Sequence, residues 1–132
     1  METLNWRLST AQKALKTLNK LVGLKHPTAE KRDAAIQRFE YTFESIWKAS
    51  QRYLLEKEGI SVASPKACIR ASKDVGLLND SDAVLGLKMV DDRNLTSHTY
   101  NETIAKNLYK NLSTYSSLMQ KWLQEINEPK DE

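Results

Sequence analysis

Two residue types that can handle a phosphodiester stand five positions apart in Arg93-Asn-Leu-Thr-Ser-His98, and a tyrosine follows at Tyr100. Arginine carries a permanent, fork-shaped charge that can bind two phosphate oxygens at once. Histidine titrates near neutral pH and can pass protons to and from ribose and leaving-group oxygens. Without a metal, such a pair supports RNA cleavage in which the 2′-hydroxyl is the nucleophile. One arginine and one histidine are sparse for that task, so a dimer that doubles the constellation would help. On an unbroken helix, five residues place two side chains about 140° apart, so the pair converges only if the helix ends between them. Asn94, Thr96 and Ser97 favour such an ending, and Thr99-Tyr-Asn-Glu102 reads as a capping box that restarts a helix. Backbone N–H groups at that restart would add affinity for an anion. The plainer alternative has Arg93 bonded to Asp91 or Asp92 and His98 bonded to backbone.

The elements that must position this segment are helical. Only four glycines and three prolines occur in 132 residues, which argues for long helices over many short strands. A first stripe runs Leu4, Leu8, Ala11, Leu15, Leu18, Val22 and closes at Gly23 and Pro27. A second helix is expected from Thr28 to Lys57, with Ile36, Phe39, Phe43, Ile46, Trp47, Ser50 and Leu54 on its stripe and Gly59 at its end. Ser64-Pro65 signals a third, running to Val75 before Gly76. A fourth starts near Asp80 with Val84, Leu87 and Val90 as its inner face. The last carries Ile104, Leu108, Leu112, Tyr115, Met119, Trp122 and Ile126, with residues 127–132 as a frayed tail. The expected fold is therefore all-α: one domain over residues 1–132, an up-and-down antiparallel bundle of three long helices plus a shorter pair.

Composition narrows the function classes. Hydrophobic residues at 40% and charged residues at 28% suit one core with a solvated surface, and the net charge of +3 permits an anionic partner without requiring one. The single cysteine, Cys68, allows neither a disulfide framework nor a cysteine zinc site, and is read as a buried small residue. No metal site or cofactor is expected. With no signal region and no membrane-length apolar stretch, the expected location is the cytoplasm, and the N-x-[ST] matches at Asn94, Asn101 and Asn111 read as chance. His26, before Pro27, reads as an ordinary loop residue. Phe39, Tyr41, Phe43 and Trp47 read as core. Glu40 and Glu44, four apart on one face, either pair with Lys48 or Arg52 on the surface or reach the cleft to position His98; the surface pairing is favoured.

Three stretches together resemble a known family: Arg38-Phe-Glu-Tyr-Thr-Phe-Glu-Ser-Ile-Trp-Lys48, Ser64-Pro65, and Asp92-Arg-Asn-Leu-Thr-Ser-His-Thr-Tyr100. They are similar to HEPN domains, in particular the HepT-like branch also described as nucleotidyltransferase substrate-binding proteins. The likeness spans roughly residues 4–126. It implies a helical bundle that forms homodimers, bringing two Arg–His motifs into one cleft, and a metal-independent ribonuclease toxin restrained by an MntA-like nucleotidyltransferase antitoxin. Under it, Arg93 would hold the scissile phosphate of RNA, with Asn94 and Ser97 beside it. His98 would be general acid or base, Tyr100 a target for AMP addition, and Glu40, Glu44 and Asp92 supporting residues. Added AMP would place bulk and negative charge against the positive field that RNA needs. The alternative is a non-catalytic subunit that binds a nucleotide or substrate for a minimal nucleotidyltransferase.

Overall fold

A computed structural model describes residues 3–128. It contains five α-helices and, among those residues, no strand: α1 (Leu4–Asn19), α2 (Ala29–Glu58), α3 (Pro65–Asp74), α4 (Asp80–Asn94) and α5 (Glu102–Asn127), with a 3₁₀ turn at Thr96–His98. The protein is an all-helical bundle. The expected frayed tail lies mostly outside the described residues; α5 itself persists to Asn127.

Each helix begins at a short polar residue whose side chain accepts from a free N–H of the first turn. Thr3 takes Trp6 N, Thr28 takes Lys31 N, Ser64 takes Ala67 N, and Asn79 takes Asp82 N. Pro65 occupies the first turn of α3, where a missing N–H costs nothing. Helix α1 ends earlier than its stripe suggests, at Asn19, and Val22 packs on the core from the loop.

The apolar stripes meet in one core. Leu15, Leu18, Phe39, Phe43, Ile46, Leu54, Ile69, Leu112, Tyr115, Met119 and Trp122 are all essentially buried. Phe39 stacks on Tyr115 with centroids 5.7 Å apart, locking α2 to α5. Contacts fix the senses of the helices. Asp92 meets Tyr115 while Asp82 meets Lys121, so α4 runs against α5. Lys66 meets Asp91 while Lys73 meets Asp80, so α3 runs against α4.

Two inner-face expectations change. Val84 is 70% exposed, and α4 instead buries Ala83, Gly86, Met89 and Val90. Apolar residues at 84, 85 and 87 surround most of a turn, so periodicity alone could not orient this helix; its packing on α3 does. Tyr41 is also outside the core, at 49% exposure, with the Arg38 guanidinium 5.8 Å above its ring. It lies two residues, or about 200°, round the helix from Phe39 and Phe43. Cys68 is buried as expected, its thiol pushed up to about 11, chiefly by desolvation.

Candidate functional site

The break required between Arg93 and His98 is present. Helix α4 stops at Asn94, and the Thr96 hydroxyl donates to Arg93 O at 2.7 Å, capping a carbonyl that the helix leaves free. Leu95 N bonds Asp92 O, His98 N bonds Leu95 O, and Asn101 N bonds His98 O, each at 2.9–3.0 Å. The chain therefore turns tightly through Tyr100. Helix α5 does not start at a Thr99 capping box. Asn101 is its cap, accepting from Thr103 N at 3.0 Å and Ile104 N at 3.2 Å, which leaves Tyr100 in the turn and outside the first helical turn.

Arg93 is held from three sides. Its Nη2 donates to Glu44 Oε2 from α2, Nη1 donates to Asn94 Oδ1 at 3.4 Å, and the guanidinium carbon lies 5.5 Å over the Phe43 ring. Glu44 is fixed in turn by Trp47 Nε1, which donates to its other oxygen at 3.0 Å. Glu44 thus bonds neither Lys48 nor Arg52, the surface partners expected for it, and Arg52 pairs with Glu56. Nor does Arg93 take Asp91 or Asp92. Asp91 pairs with Lys66 at 2.7 Å, and Asp92 accepts from Tyr115 Oη and from Asn111 Nδ2 at 3.2 Å. Burial, followed by the bond to Asp92, raises the Tyr115 hydroxyl above its ordinary range. The Glu40 side chain makes no hydrogen bond or ion pair among the described residues.

His98 is exposed, and its ring has no hydrogen-bond partner among the described residues; its contact is an edge-on approach to Tyr100 with centroids 6.0 Å apart. Tyr100 is 85% exposed, and Ser97 is exposed. The segment therefore divides in two: a braced arginine on α2 and α4, and an unbraced histidine–tyrosine pair on the turn. No hydrogen bond joins the halves. An anion can still reach the unused N–H groups of Arg93, one third of whose side chain is exposed, but it must share the cation with Glu44. Beside Glu44 runs a groove of about 220 Å³ lined by Trp6, Thr10, Ser45 and Lys48. Among the described residues no three His, Cys, Asp or Glu side chains cluster as metal ligands, and no helix is long and apolar enough to cross a membrane.

Sequence reasoning missed the Glu44–Arg93 bond because 49 residues separate the partners and no local pattern links them. It also missed the Asn111–Tyr115 clasp on Asp92. Its one signal was spacing, since those two residues lie four apart on one helix face.

The family model described as "Nucleotidyltransferase substrate binding protein like" matches residues 6–128. The chain belongs to that family. Among solved structures, a Thermus thermophilus protein is 54% identical, covering 89% of this chain and 99% of its own, with a TM-score of 0.87. HI0074 from Haemophilus influenzae is 24% identical over 92% of this chain and 99% of its own, with a TM-score of 0.77. Its structure is described as revealing the fold of a substrate binding domain of a nucleotidyltransferase, and at that identity the likeness speaks to fold alone. No curated protein matches significantly.

Proposed function

We propose that this chain is the substrate-binding subunit of a separate, minimal nucleotidyltransferase, with Arg93 and Asn94 holding an anionic group of the substrate and the partner supplying the chemistry. The observation that carries this reading is the clamp on Arg93. A guanidinium bonded to Glu44 and laid on Phe43 is preorganised and partly neutralised, which suits selective binding. His98, whose ring has no hydrogen-bond partner among the described residues to set its tautomer, is not oriented within this chain as a general acid or base must be. The family membership supports the same reading.

The test is nucleotide transfer by a minimal nucleotidyltransferase from the same organism, assayed with and without this chain and followed with a labelled nucleoside triphosphate. Transfer is expected to depend on this chain. Arg93→Ala should lower it by about tenfold or more, the scale of one charged hydrogen bond, while His98→Ala leaves it unchanged. Equal transfer with and without the chain refutes the proposal.

A second reading, favoured by the helix break and by the open His98–Tyr100 pair, is the metal-independent ribonuclease toxin. There, a homodimer completes the cleft and Tyr100, exposed as a modification target must be, is silenced by AMP from an MntA-like partner. It needs the second subunit to supply what aligns His98, and it predicts RNA cleavage by the chain alone.

A further inference from the structure

A second feature lies away from Arg93, where the α1–α2 loop folds against α5. A cavity of about 490 Å³ opens there, within the range of small-molecule sites, and Lys25, His26, Arg32, Lys106 and Lys110 line it with Tyr109. No carboxylate is among its lining residues. Two acids stand nearby. Glu102 pairs with Lys106 at 2.9 Å, and exposed Asp33 lies 3.7 Å from Arg32 Nε. Setting these against Lys25, Arg32, Lys106 and Lys110 still leaves an excess of two positive charges.

The cavity is built rather than incidental. Gly23 turns the chain with a φ of +73°, which side-chain-bearing residues rarely adopt. The Tyr109 hydroxyl then pins the loop, donating to Leu21 O at 2.6 Å and accepting from Leu24 N at 3.1 Å. Arg32 is 14% exposed, and its Nε is buried with no hydrogen-bond partner among the described residues. Its ion-pair partner Asp33, 3.7 Å away, is beyond hydrogen-bond reach, so the buried Nε keeps an unmade hydrogen bond, which is costly.

We propose that this cavity binds a chain of two or three phosphates, as carried by a nucleoside di- or triphosphate, at a site distinct from Arg93. Several cations spread around one cavity match charge distributed along an oligophosphate better than a single phosphate, because each added phosphate meets a further ammonium group. The proposal stands independently of the role given to Arg93.

The test is calorimetry of the whole chain with inorganic tripolyphosphate, ATP and AMP, repeated at two salt concentrations. Tripolyphosphate and ATP should both bind, more weakly in high salt, with AMP about tenfold weaker or worse. If ATP alone binds, the base dominates and the oligophosphate assignment is wrong. The double substitution of Lys25→Gln with Lys110→Gln removes two exposed charges without touching the core, and should weaken tripolyphosphate binding by about tenfold or more. Arg32→Gln should weaken it as well, provided circular dichroism shows the bundle intact; the lysine pair decides the matter if it does not. Arg93→Gln should leave intact the component of binding that the lysine pair removes. The proposal is overturned by no binding at millimolar tripolyphosphate, by indifference to the lysine pair, by equal loss in Arg93→Gln, or by a single-stranded RNA that displaces tripolyphosphate at much lower concentration.

Discussion

Asp92 illustrates how a residue beside a motif earns its place through structure. In the sequence it reads as a possible partner of Arg93 or a supporting residue, yet it anchors the end of α4 to α5 through Tyr115 and Asn111. Asp92→Asn removes an ionised acceptor from a buried hydroxyl and should cost about 1–3 kcal/mol in chemical denaturation. The same clasp sets an alkaline limit. A tyrosine whose folded pKa is raised keeps its proton in the native state, so its stabilising contribution is complete below the ordinary value of 10.0 and is lost as pH rises beyond it. Melting temperatures should accordingly fall more steeply above pH 10 in the wild type than in Tyr115→Phe. An equal slope in both proteins would show that Tyr115 ionisation does not contribute.

The five helices were legible in the sequence because their start signals are chemical: a short polar residue, sometimes with proline, ahead of an apolar stripe. The exceptions have physical causes. Thr99 has the right residue type for a cap, but the 3₁₀ turn carries the chain two residues further before a helix can form, so Asn101 takes the role. Asn101→Ala should therefore destabilise by about 1 kcal/mol, and Thr99→Ala should stay within about 0.5 kcal/mol of wild type in urea titrations. A larger loss at Thr99 would restore the capping box. Helix α4 could not be oriented from its own pattern, in part because it meets Ile69 of α3 through a residue with no side chain. A Cβ on Gly86 would meet two branches of the buried Ile69 at 3.2 Å. Alanine gains about 1 kcal/mol in helix propensity, whereas overpacking costs about 1–3 kcal/mol. Gly86→Ala should thus be neutral to destabilising, and a rise in melting temperature would show that Ile69 yields easily.

Taken whole, the molecule has the all-α fold that its stripes imply and belongs to the nucleotidyltransferase substrate-binding family that its motifs resemble. Residues of the candidate site were singled out by type, and their mutual relations were not legible. Arg93 and His98 are five apart in sequence and lie on differently supported elements, one clamped by α2 and the other open on a turn. Spacing reports that a meeting is possible; only packing decides whether the side chains are held for it. In the proposed reading, that difference between a braced arginine and an unbraced histidine is what favours a subunit that presents a substrate over an enzyme that cuts RNA. The most direct measurement is incubation of the purified chain alone with RNA in excess chelator, followed by gel analysis of the fragments. The RNA should remain intact with wild type and with His98→Ala alike. Fragments that appear with wild type and vanish with His98→Ala would contradict the account and make this chain a nuclease.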